Sequence, residues 1–178
     1  MIRALLAPFR RFLAGEKGTA SLEFVISVPI LMVIFCASFE SGLLMMRSIL
    51  LEQAVDRTMR ELRLGHYPLP TSALLKEEIC ARGVILQNCE DNITIELVRI
   101  STSTWAVPTS NIQCVDRDED IDPVLALQIG QQNDVMLVRI CVIQDALFPN
   151  MAIGAQMPLD GRDGYALITT SAFVTEPT

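Results

Sequence analysis

The chain is short of the residues on which most enzyme chemistry depends. Among 178 residues there is one histidine, His66, one tryptophan and two tyrosines. A nucleophilic triad needs a positioned base, and His66 sits in a proline-rich turn, "GHYPLP". No phosphate loop, dinucleotide fingerprint or metalloprotease helix occurs. No C-x-x-C pair is present, which removes the usual zinc spacings. These absences predict a protein that is not an enzyme and carries no cofactor.

Basic charge is equally scarce outside one place. Four basic residues against Glu16 give the first 18 residues +3, so with −7 overall, residues 19–178 carry −10. An acidic body of this kind repels phosphates, which excludes nucleic acid as a partner. What the chain has instead is apolar mass. It is 51% hydrophobic, with a mean hydropathy of +0.38, and no charge falls between Glu23 and Glu40.

The apolar stretch covers residues 20–46, against about 20 helical residues for a bilayer core. It spans a membrane if the two glutamates are accommodated near the interfaces. A secretory signal peptide has a shorter apolar region, roughly 7–15 residues, and then a cleavage site. Here "ESGLLMMRSILLEQAVDRTMREL" continues as helix. The preceding Lys and Arg place the N-terminus in the cytoplasm and the C-terminal body outside. Pro29 removes one helical hydrogen bond, which membrane helices tolerate. Residues 47–64 extend the helix, with Ile49, Leu50, Ala54, Val55, Met59 and Leu62 as the expected inward stripe. Gly65, Pro68 and Pro70 end it.

Beyond lies the expected outer domain. Residues 71–81 read as a short helix capped by Thr71 or Ser72, with Leu74, Leu75 and Ile79 on one face. Three strands follow, 92–102, 134–143 and 164–175, the second uniformly apolar as a central strand would be. The fold class is α+β: a long N-terminal transmembrane helix running into an outer domain with a short helix and a small antiparallel sheet of about three strands, packed on the extended helix. Cys36 lies in the membrane run as a small apolar packer. Cys80, Cys89, Cys114 and Cys141 are an even set in the outer portion. They predict two disulfides with three possible pairings, of which Cys80–Cys89 and Cys114–Cys141 are favoured. In "DRDEDID", Asp116, Asp118, Asp120 and Asp122 alternate as calcium ligands do, without the glycine and glutamate that complete such a loop. A solvated acidic surface is the stronger reading, and the surrounding long loop, residues 105–133, is a candidate partner-contact surface.

A basic leader, Gly18, the residues "TASL", then Glu23-Phe24 and the apolar run form an ordered constellation. It resembles the type IV prepilin signal in the variant of the Tad (Flp) pilus system. The Glu40-Ser41-Gly42 element at the end of the run, and the final strand leading into Glu176-Pro177, resemble TadE-like pseudopilins. The resemblance is strong over residues 15–65 and pattern-level over about the last 45. It implies cleavage between Gly18 and Thr19 by a membrane prepilin peptidase, with Glu23 and Phe24 as recognition and register residues. Cleavage would free an ammonium on Thr19 for Glu23 to meet four residues along the helix, in its first turn. An unpaired acid in lipid costs about 2.5–3.5 kcal/mol, so such a partner would fix register between subunits.

The organisation this implies is a leader over 1–18, a transmembrane helix over 19–46, a helical extension over 47–65 and a periplasmic α+β domain over 66–178. The implied function is that of a minor pseudopilin of the bacterial inner membrane, used in assembling or priming a Tad/Flp pilus and open to incorporation into it. Its partners would be prepilin peptidase, other pilin and pseudopilin subunits, the inner-membrane assembly platform and the membrane. A TadF-like paralogue shares the same cleavage logic. The alternative is an uncleaved single-pass protein with a periplasmic ligand- or calcium-binding domain.

Overall fold

The computed structural model of the chain describes residues 19–67, 70–118, 126–128 and 130–176. The basic leader, Gly18, Pro68, Asp120 and Asp122 lie outside them. One helix, α1 (Thr19–Arg63), runs unbroken through Pro29. It is long and apolar enough to cross a membrane: its most apolar 18-residue window has a mean hydropathy of 2.3 and is only 6% buried. Gly65 stops it by taking a left-handed conformation, φ 73°, open to glycine at no steric cost. α2 (Ser72–Arg82) starts where Thr71 Oγ1 accepts the Leu74 N–H at 3.2 Å. It ends at Gly83, whose N–H reaches the Ile79 carbonyl at 2.9 Å.

A four-residue helical turn that the sequence reading did not anticipate, α3 (Cys89–Asn92), leads into the sheet. The strands β1 (Ile93–Ile100), β2 (Val135–Asp145) and β3 (Gly164–Val174) form an antiparallel sheet of order β1-β2-β3. The apolar strand is central, as expected. β1 pairs with β2 from Ile93 opposite Val142 to Ile100 opposite Val135, and β2 with β3 from Val135 opposite Val174 to Asp145 opposite Gly164.

Alternation along the strands sends Ile93, Ile95 and Leu97, with Met136, Val138, Ile140 and Val142, to one face. There they join Leu51, Ala54, Val55 and Met59 of α1 and Leu75 and Ile79 of α2 in one core. The long helix therefore supplies a wall of the core as well as an apolar stem. The stripe on α1 differs from the expected one: Ile49 is 54% exposed and Leu51 is 1% exposed. Arg47, Glu40 and Thr58 are buried on the same face, so the inward stripe is part polar and its phase is not set by apolar residues alone.

A strap from residues 110–117 covers part of the opposite sheet face. Ile112 and Cys114 pack on Cys141 and Ile143, Thr94 Oγ1 donates to the Gln113 carbonyl at 2.9 Å, and Arg139 bonds the Ser110 carbonyl. Arg139 also pairs across the strands with Glu96, Nε to Oε2 at 2.6 Å. Both favoured disulfides are formed, Cys80–Cys89 tying α2 to α3 and Cys114–Cys141 tying the strap to β2. Farther along, the loop returns beside β1: Leu97 N–H donates to Ala126 O, and Gln128 N–H to Leu97 O, each at 2.9 Å.

Candidate functional site

Two regions of α1 hold the residues singled out from the sequence. In the lower one, residues 20–27 are exposed, with Phe24 at 68%. Glu23 is exposed there too, and its carbonyl accepts a back-bond from Ser27 Oγ. The first turn of α1 contains no acid. Helix formation beginning at Thr19 puts Glu23 at the start of the second turn, where the dipole's hold on a carboxylate has begun to fall away. This corrects the expected first-turn placement, while the four-residue spacing from Thr19 that sets the two groups on one face is preserved.

The upper region surrounds Glu40, and here sequence reasoning found the residue but not its partners. Glu40 is 1% exposed. Its Oε2 accepts the main-chain N–H groups of Leu147 and Phe148, each at 3.0 Å, just past the end of β2. A carboxylate receiving two backbone donors is held by charge-assisted bonds stronger than neutral ones. Seven residues on, and two helical turns up the same face, Arg47 is 3% exposed. Its Nη1 donates to the Asp145 carbonyl at 2.8 Å and to Tyr165 Oη at 2.7 Å, and the guanidinium lies 5.8 Å from the Tyr165 ring centroid. Arg47 Nε has no hydrogen-bond partner among the described residues. Glu40 and Arg47 together clamp one short segment, Asp145 to Phe148, against the helix.

Gly42, the other half of the Glu-x-Gly element, faces open space, and a Cβ there would meet nothing within 4 Å. Nothing among the described residues requires a glycine at that position.

Beside the clamp lies an ion-pair cluster with no counterpart in the sequence reading. Arg117 Nε and Nη2 both donate to Asp160, each at 2.7 Å, and Nη1 reaches Asp145 Oδ1. Asp160 also accepts the N–H groups of Arg162 and Gly164, at 2.9 and 2.7 Å. Bonding from Arg117, helped by these backbone donors against the opposing effect of burial, lowers the Asp160 pKa to about 2. Asp118 pairs with Arg162 Nε at 3.1 Å, and Asp116 accepts the Asp118 N–H at 3.0 Å. Two of the four alternating aspartates are thus engaged within the chain, and Asp120 and Asp122 lie outside the described residues. Among the described residues no group of three His, Cys, Asp or Glu side chains is placed to hold a metal ion.

The buried Gln144 adds one more cross-link. Its Oε1 accepts the Gln87 N–H at 3.0 Å and its Nε2 donates to the Gln87 carbonyl at 2.9 Å. The side-chain amide thereby satisfies both main-chain groups of Gln87, as a neighbouring strand would.

A protein-family profile described as TadE-like protein matches residues 18–60. The matched stretch opens at Gly18 and contains Glu23, Phe24, Glu40, Gly42 and Arg47. It agrees with the resemblance carried by the glycine, the two glutamates and the apolar run. No curated protein and no solved structure matches the chain.

Proposed function

We propose that the chain is a minor pseudopilin of a Tad/Flp pilus, anchored in the bacterial inner membrane by α1 and trimmed by prepilin peptidase between Gly18 and Thr19. The match to TadE-like proteins over residues 18–60 is the observation that carries this reading. It falls on the one helix among the described residues that is long and apolar enough to cross a membrane, and on the residues that a prepilin-type processing site would use.

In this reading α1 does two jobs in sequence along its length. Its lower half is exposed and apolar, suited to lipid or to the helices of other pilin subunits, where association depends on close packing. Gly42, bare of neighbours, offers a smooth point for such a helix. Glu23 awaits the ammonium that cleavage would create on Thr19, in its own chain or a neighbour's. The upper half builds the periplasmic domain, which would face partner subunits or the assembly platform. The division into leader, span over 19–46, extension over 47–65 and outer domain over 66–178 belongs to the same proposal. The role is structural rather than enzymatic.

The test is N-terminal sequencing of the protein made with and without prepilin peptidase. A mature chain beginning at Thr19 only when the peptidase is present is the expected result, and Gly18→Ala should slow or block its appearance. An intact Met1 in the presence of active peptidase would overturn the processing step and with it the pseudopilin assignment.

A further inference from the structure

β2 runs antiparallel to α1 along the length of the domain. At one end, beyond the residues that open β2, Glu176 takes a hydrogen bond from Arg63 Nε at 2.9 Å near the helix C-terminus. At the other end Asp145 meets Arg47, and Leu147 and Phe148 meet Glu40. The chain leaving β2 therefore descends α1 toward its apolar half, moving from the level of Arg47 to that of Glu40, about 10 Å of helix rise, within three residues.

What lies at that level is uncharged. From Ala146 to Leu159 the segment "ALFPNMAIGAQMPL" contains no acid or base across 14 residues, bounded by Asp145 and Asp160. The turn is tightly folded: Met151 N–H bonds the Phe148 carbonyl at 3.1 Å, and a Cβ on Gly154 would come within 2.2 Å of that carbonyl oxygen. Even so, three large apolar side chains point outward, Leu147 at 47%, Met151 at 40% and Ile153 at 37% exposure. The ion-paired residues Arg117, Asp145, Asp160 and Arg162 gather at the base, where the two ends of the segment come together.

The height of this tip relative to a bilayer follows from α1 itself. Ala20 to Glu40 rises about 30 Å, the thickness of a hydrocarbon core. Burial on the clamped face of α1 begins one turn lower still, at Cys36, which is 4% exposed while residues 30–35 are exposed. An outward-facing apolar turn attached to a membrane-crossing helix where that helix leaves the hydrocarbon meets acyl chains and head groups. Its two polar side chains, Asn150 and Gln156, suit the boundary better than the interior.

We propose that the turn between β2 and β3 is a second membrane contact, seating Leu147, Met151 and Ile153 in the outer interface of the bilayer that α1 crosses. The proposal rests on the membrane-anchored reading of α1 and goes beyond it, because the domain is then held to the lipid surface at two points rather than one.

Tryptophan depth measurements test it on the full chain in vesicles of phosphatidylethanolamine and phosphatidylglycerol. The native Trp105, 64% exposed, reports the water-facing part of the domain. In a Trp105→Phe background, Met151→Trp and, separately, Ile153→Trp report the turn, and Ile30→Trp reports the span. Lipids brominated near the head group should remove about half of the emission at position 151 or 153, as for side chains some 5–10 Å into the interface. Lipids brominated near the chain ends should quench position 30 most, and Trp105 should respond to neither. If positions 151 and 153 stay unquenched and as open to acrylamide as Trp105 while position 30 is quenched, the turn does not touch lipid. Its apolar face would then belong to a protein partner, and the anchor would stand. If position 30 is also unquenched, the anchored reading fails and takes this proposal with it.

Discussion

Glu40 and Arg47 grip opposite polar ends of the same strand exit. The carboxylate takes the N–H groups of Leu147 and Phe148, and the guanidinium gives to the carbonyl of Asp145. The two side chains share one face of α1, two turns apart, and both are almost fully buried. Each would be costly to bury alone; here each satisfies main-chain groups left over where the sheet ends.

Glu40→Ala leaves the part-buried N–H groups of Leu147 and Phe148 without that acceptor. A loss of about 3 kcal/mol is expected, and Glu40→Gln, which keeps one oxygen, should lose about half as much. Urea unfolding of the detergent-solubilised protein measures both. Hydrogen exchange at Leu147 and Phe148 should rise in the alanine variant before exchange in β2 does.

Tyr165→Phe removes one hydrogen bond from Arg47 but keeps a ring beneath the cation, for a cost of about 1 kcal/mol. Arg47→Ala also strands the Asp145 carbonyl, so about 3 kcal/mol is expected. A double-mutant cycle should return a coupling on the order of 1 kcal/mol between the two residues. Strict additivity would show that the contact is not energetically linked.

The disulfides should differ in weight. Cys114–Cys141 closes a separation of 27 residues and Cys80–Cys89 one of 9. Loop-closure entropy assigns them about 3.5 and about 2.6 kcal/mol respectively. Paired serine substitutions at 114 and 141 should lower the melting temperature more than those at 80 and 89, and should free the strap from the outer sheet face.

Asp160 makes part of the domain's stability dependent on acid. Its folded pKa, about 2, lies below the ordinary value of 3.8. Its contribution is therefore present above pH 3.8 and is lost as pH falls through about 2. Asp160→Asn should lower stability at neutral pH by on the order of 1–2 kcal/mol, allowing for partial exposure. It should also flatten the profile between pH 4 and 2. An unchanged acid limb in the variant would show that the Arg117 pair is not responsible.

Much of this architecture was legible from pattern alone. The apolar run, the three alternating or uniformly apolar strands and the cap at Thr71 are local signals, and each appears within a residue or two of its expected position. The favoured cysteine pairing, one of three possible, is the one formed. What pattern could not reveal were contacts across long stretches of chain. Glu40 is 107 residues from Leu147, and Arg117 is 43 from Asp160. The inward stripe of α1 was misphased at Ile49 because Glu40, Arg47 and Thr58 occupy it, and a count of apolar residues passes over them. The turn α3 was hidden in "CEDN", four residues without an apolar periodicity of their own.

One consequence follows from the continuity of α1. The 45 residues from Thr19 to Arg63 are a single rod, some 68 Å long, and the head is built onto its upper half with no linker between. The head therefore has no swivel. Whatever grips the lower half, and whichever way it rotates that half about its own axis, sets the compass bearing of every surface above.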